Sequence, residues 1–213
     1  NVEHYRNIES FKQHTSHVSD LAFSADGRFL ASASFDATVV VYQMSTMSEV
    51  SVLRGHRGLV KGVTWDPVGN YLASQGDDRT VRVWRTNDWA EEACVEAPYA
   101  MTNDTCFSRR LAWSPDGSMI TTTHAHNGRA HTAHNVERDA WEEEGTELIG
   151  HARPVDVVRY NPVLFGRHDA AGKMQQYQPA CLGQTQPRQA AIQFGAPATG
   201  HLRQLHAKTV LIG

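Results

Sequence analysis

The stretch LAFSADGRFLASASFDATVVVY at residues 21–42 lies on VTWDPVGNYLASQGDDRTVRVW at 63–84 without a gap, an offset of 42 residues. Two copies at a fixed period identify an internal repeat. The offset also places His14 on His56 and Val18 on Val60, and further copies enter as LAWSPDG at 111–117 and HARPVDVVRYNP at 151–162. Successive starting points Val18, Val60, Ser108 and Val155 are 42, 48 and 47 residues apart. Inside each unit, short β-branched runs such as Val39-Val40-Val41 alternate with turn signals such as Asp26-Gly27 and Asp116-Gly117. Several short strands per unit of roughly 40–45 residues is the pattern of a four-stranded propeller blade.

The fold expected is therefore all-β: a partial β-propeller of about three four-stranded antiparallel blades with an irregular C-terminal tail. Strands are expected near 17–24, 28–34, 38–43 and 48–53, then near 59–65, 70–74, 80–85 and 90–95. The third blade should open with strands near 109–114 and 118–123 and place its third within 131–137, after the insertion HAHNGRA. A fourth repeat contributes one strand near 155–160, and residues 6–11 suit an outer strand of a preceding blade. The propeller part is assigned to residues 1–165. Residues 166–213 hold 8 of the chain's 11 Gln and a single acidic residue, Asp169, and are read as an irregular or non-native tail.

Composition excludes more than it identifies. A net charge of -3 gives no general attraction to nucleic acid or acidic lipid. Arg167, Lys173, Arg188, Arg203 and Lys208 are scattered without aromatic neighbours, a poor footprint for direct nucleic-acid binding. No apolar run reaches the ~20 residues that span a bilayer. Three cysteines, Cys94, Cys106 and Cys181, form no CxxC pair, so neither a disulfide framework nor a cysteine zinc site is expected. No phosphate loop, dinucleotide fingerprint, nucleophile elbow or HExxH helix is present, and no small-molecule substrate or cofactor is expected. His124, His126, His131 and His134 cluster in sequence, but HxH and HxxH spacings in a Gly-bearing loop read better as a solvated insertion than as a metal site. Glu142, Glu143 and Glu144 read as a solvated turn.

The repeats resemble WD repeats. That resemblance implies that His56, Ser74, Asp78 and Trp84 form a buried polar chain running from indole to hydroxyl to imidazole to carboxylate, each donor meeting an acceptor. His14, Ser32, Asp36 and Tyr42 stand at the same places in the first blade, with a phenol for the indole. In the third, Asp104, Thr122, His126 and Thr132 are the equivalents by spacing, and the network is expected to be missing. A set repeated at structural spacing is scaffold, not a catalytic triad. In propellers of this type the loop entering each blade and the turn before its Asp share one end. Phe35, Arg57, Leu59, Asp77 and Arg153 are accordingly the candidate partner-binding face.

The stretch RGHRGLVKGVTWDPVGNYLASQGDDRTVRVWRTNDW at 54–89 resembles the WD-repeat region of Hira-type histone chaperones more specifically than a generic repeat does. LAWSPDGSMITTTHAHN, HNVERDAW and GHARPVDVVRYNPVLF continue in that family's order, so the resemblance covers about residues 1–165. It implies a seven-bladed propeller in the complete protein, of which this chain would form an open arc. It also implies a nuclear scaffold subunit, partnered with other chaperone subunits and indirectly with histones, in replication-independent chromatin assembly and transcriptional repression. The alternatives are the WD-repeat subunit of the replication-coupled chromatin assembly factor and a generic WD-repeat adaptor.

Overall fold

The computed structural model describes residues 9–102, 106–141 and 145–160, together with the strand backbone of 165–168, 174–177, 181–185 and 189–193. Three antiparallel sheets of four strands each succeed one another along the chain. The first contains β1 (Val18–Phe23), β2 (Phe29–Ser34), β3 (Thr38–Gln43) and β4 (Ser48–Arg54); the second contains β5 (Val60–Trp65), β6 (Tyr71–Gly76), β7 (Val81–Arg85) and β8 (Glu91–Val95). A single 3-10 turn, η1 (Ala97–Tyr99), leads to the third, made of β9 (Ala112–Trp113), β10 (Met119–His126), β11 (His131–Glu137) and β12 (Glu147–His151). Each sheet is a meander, with neighbours in sequence paired in space, as consecutive hairpins require. Among the described residues no helix is long and apolar enough to cross a membrane.

Blades pack face to face through the alternation of their strands. Ala31, Ala33, Val39, Val41 and Leu53 on one face of the first blade meet Val60, Val63, Trp65, Leu72 and Trp84 of the second. Ala73, Val81, Val83 and Val95 on the second blade's opposite face meet Leu111, Trp113 and Ile120 of the third. Polar ties cross the same seams. The Trp65 indole donates to the Ala22 carbonyl at 2.8 Å and Ser19 Oγ to the Val60 carbonyl at 2.6 Å. Gln75, wholly buried, donates to the Thr123 carbonyl at 2.6 Å and accepts from the Thr123 hydroxyl at 2.9 Å.

On the other face of the first blade, Leu30, Val40 and Tyr42 are buried with Phe11, Met44 and Val52 beside them. Val18, Leu21 and Phe23 of β1 stay exposed, whereas Val60, Val63 and Trp65 at the same places one blade on are buried.

β13 (Val157–Tyr160) begins the fourth repeat where a strand was expected, and Val155 and Val158 pack with Ala112 and Ala133 of the third blade. Strands continue beyond it. β14 (Phe165–His168) and β15 (Met174–Tyr177) form a hairpin, while β16 (Cys181–Thr185) and β17 (Gln189–Gln193) extend a sheet in the order β13-β16-β17. Strand segments thus lie inside the region assigned to an irregular tail. Weak β-propensity there is overridden by the open backbone edge of β13, whose ladder groups pair with β16 from Val157 opposite Gln184 to Tyr160 opposite Cys181. Residues 194–213 and the segments 1–8 and 142–144 lie outside the described residues.

Candidate functional site

In the second blade the four residues singled out by spacing meet in one line. The Trp84 indole donates to Ser74 Oγ at 2.9 Å, Ser74 Oγ lies 2.8 Å from His56 Nε2, and His56 Nδ1 lies 2.9 Å from Asp78 Oδ2. Asp78 also accepts from the Arg57 and Thr80 backbone N–H groups and from the Thr80 hydroxyl. Burial pushes its carboxyl up, but the imidazole and these donors outweigh that and hold it down at about 2. The line ties the loop before β5 to β6, the β6–β7 turn and β7, so one polar chain fixes the register of four segments.

The first blade repeats the arrangement. His14 Nε2 lies 2.7 Å from Ser32 Oγ and His14 Nδ1 2.9 Å from Asp36 Oδ2, while Tyr42 is buried at the place that Trp84 holds in the second blade. Burial raises the Asp36 carboxyl; the Thr38 hydroxyl, the Thr15 N–H and His14 overcome it, and it too settles at about 2.

The third blade departs, and not as its spacing suggests. Trp84 stands opposite Leu72 in its blade, and the residue opposite Ile120 at the same place is Val136. Thr132, the equivalent by spacing, instead pairs with Ala125. The correction arises because β10 and β11 run on past a bulge into a longer hairpin, which inserts residues between the two positions. Asp104 lies outside the described residues. The hydroxyl of Thr122, equivalent to Ser74, is nonetheless satisfied: the Tyr99 hydroxyl donates to it at 2.7 Å, and it donates to the His134 carbonyl at 2.9 Å. Tyr99 is fully buried, and burial pushes its phenol well above the usual range.

The candidate partner-binding face sits where the loop before each first strand meets the turn after the second, since Val18 pairs with Ser34 and Val60 with Gly76. Phe35 stacks on His17 and meets the ring of Phe107 edge-on at 6.1 Å, and Phe107 is 78% exposed. The Asp77 N–H donates to the Leu59 carbonyl, and the Asp77 carboxylate receives Lys61 at 2.6 Å and Arg109 at 3.3 Å. Arg57 turns elsewhere: it lines a cleft of about 500 Å³ with Arg79, Arg82 and Glu96. Arg153 is exposed in the bend before β13.

Comparison with known proteins bears on what such blades belong to. The model of the WD domain, G-beta repeat, matches residues 5–43 and 47–85. Protein HIR1 of Cryptococcus neoformans var. neoformans serotype D is 40% identical over 165 residues, which cover 78% of this chain and 19% of that protein. The chain carries WD repeats and is homologous to HIR1 proteins. HIR1 of Mycosarcoma maydis is 38% identical over 165 residues and hir1 of Schizosaccharomyces pombe 35% over 164, covering 16% and 18% of those proteins. The chain therefore spans less than a fifth of the length of these HIR1 relatives. The Hira-type resemblance of residues 54–89 agrees with these matches.

Of the four clustered histidines, the structure gathers only His126 and His131, whose rings meet edge-on at 5.1 Å. His134 is buried in β11, and its imidazole is held below the usual range by that burial. His124 points away to Asp156, at 2.8 Å. Spacing alone missed Tyr99, Gln75 and Phe107. The first has a signal in hindsight: the step from second to third blade is 48 residues instead of 42, and Tyr99 lies in the extra length.

Proposed function

We propose that this chain is the WD-repeat part of a nuclear scaffold subunit of a histone chaperone complex, acting without catalysis in replication-independent chromatin assembly and transcriptional repression. The observation that carries the reading is the 40% identity with HIR1 across 165 residues, far beyond the two repeats matched by the general WD model. The polar chains of the first two blades suit a structural role, because each His and Asp is engaged by side-chain and backbone partners that hold strand register.

Partner contact is assigned to the blade ends carrying Phe35, Leu59 and Asp77, with Phe107 added, and to the flanking Arg57 and Arg153. The Phe107 ring, 78% exposed and edge-on to Phe35, is the kind of aromatic group enriched in protein interfaces. Affinity purification of the tagged protein from nuclei should recover other chaperone subunits and histones. A Phe107→Asp substitution should reduce that recovery while leaving the fold intact by circular dichroism. Recovery of an unrelated complex, with no chaperone subunit, overturns the reading.

A further inference from the structure

Three side chains that neither the polar chains nor the partner-binding face employ converge where the third blade meets β13. One donor atom each of Cys106, His124 and Asp156 lies within 4.8 Å of the other two. They arrive from three separate segments: the loop entering the third blade, the bulge of β10, and the bend before β13. The backbone there is pinned. The His124 N–H donates to the Val155 carbonyl at 3.2 Å, and the Arg110 N–H to the Asp156 carbonyl at 2.9 Å. His124 adopts a φ of 56°, a left-handed conformation uncommon for a non-glycine residue, and its side chain is 1% exposed.

The set does not belong to the repeat. The third blade follows the second at an offset of 48, so Cys106 stands where the second blade has Gly58 and His124 where it has Gly76; the offset of 47 puts Asp156 on Arg109. None of those predecessors offers this chemistry. The WD scaffold therefore does not account for a thiol, an imidazole and a carboxylate at this one junction.

We propose that Cys106, His124 and Asp156 bind a divalent transition-metal ion of the zinc type, with three protein donors and a water in the fourth position. Zinc takes thiolate, imidazole and carboxylate at about 2.0–2.3 Å, and tetrahedral donors at those lengths are about 3.3–3.6 Å apart. The three donors already lie within 4.8 Å of one another, and the His124 Nε2–Asp156 Oδ1 contact of 2.8 Å opens to admit the ion. A thiol in the set disfavours calcium and magnesium, which take oxygen donors. Binding is charge-balanced: the ion displaces the Cys106 thiol proton to solvent, and one thiolate with one carboxylate offsets its two positive charges. Lys61 and Arg109 both reach Asp77, Lys61 also donates to the Cys106 carbonyl, and Arg109 lies against the Cys106 thiol. Their positive charge favours the thiolate that the ion needs, against the burial that keeps the free thiol protonated.

Cobalt(II) titrated into the purified chain tests this, because a thiolate ligand gives a charge-transfer band in the near ultraviolet that other donors do not. The expected result is a band saturating at one equivalent, displaced by zinc(II), lost in Cys106→Ser and kept in Cys94→Ser. Absence of the band, or its survival in Cys106→Ser, overturns the proposal. Should Cys106→Ser fail to fold, alkylation of the unaltered chain decides: zinc(II) should shield Cys106 from iodoacetamide and leave the exposed Cys94 as reactive as before. Equal labelling of Cys106 with and without zinc overturns it as well.

Discussion

The second and third blades share a strand order and a buried hydroxyl at the same register, Ser74 opposite Arg82 and Thr122 opposite His134, yet satisfy that hydroxyl from opposite directions. In the second blade the donor is Trp84, on the neighbouring strand, and the line continues through His56 to Asp78. In the third it is Tyr99, which enters from the connection between blades, and the line ends on a backbone carbonyl. What is constrained is the hydroxyl's need for a donor in a dry interior, not the identity of the residue that supplies it.

The comparison breaks most visibly at Tyr99. Tyr99→Ala removes both the ring that packs with Val95 and Leu111 and the donor to Thr122, and should cost about 3–5 kcal/mol by urea unfolding. A loss below ~1 kcal/mol is what a peripheral residue gives and would contradict the assignment. Trp84→Phe keeps most of the apolar bulk and deletes the indole donor, so about 1–3 kcal/mol is expected by the same measurement. Tyr42→Phe should cost less, about 0.5–1.5 kcal/mol, because it keeps the whole six-membered ring, whereas Trp84→Phe also loses ring volume. Equal losses for Trp84→Phe and Tyr42→Phe would erase the distinction between indole and phenol.

Acid should separate the blades with a smaller effect. His134 and His151 in the third blade are held below their ordinary 6.5 by burial. An unfolded chain takes up those protons first, so their contribution is present above 6.5 and is lost as pH falls through the depressed values. Asp36 and Asp78 lie at about 2 against 3.8, so the first two blades keep their carboxylate contribution down to 3.8 and lose it between there and about 2. Hydrogen exchange resolved by peptide, corrected for intrinsic rates, should show the third blade losing protection first on acidification. Simultaneous loss in all three blades contradicts this order.

Much of this was legible in the sequence, and the reason differs from place to place. The gapless 42-residue offset fixes the first two blades strand by strand, and His14–Ser32–Asp36 and His56–Ser74–Asp78 follow because the chain between their members has constant length. Counting fails in the third blade, where the bulge and lengthened hairpin shift Val136 into the place assigned to Thr132. Pairing register is set by tertiary contacts that spacing does not carry. The same limit hid the Phe35–Phe107 contact and the meeting of Cys106, His124 and Asp156, each of which joins residues from different repeats. Strands β16 and β17 were unreadable for another cause, since the open edge of β13 recruits backbone with little regard to side chains.

A double-mutant cycle between Tyr99→Phe and Thr122→Val isolates the one bond on which the comparison of the blades rests. Each single change removes the hydrogen bond and keeps the shape, so the pair should show a coupling of about 1 kcal/mol, matching that between Trp84→Phe and Ser74→Ala in the second blade. Additivity at Tyr99 and Thr122 within ~0.3 kcal/mol, with coupling retained at Trp84 and Ser74, would contradict the claim that the third blade meets the same need by another donor.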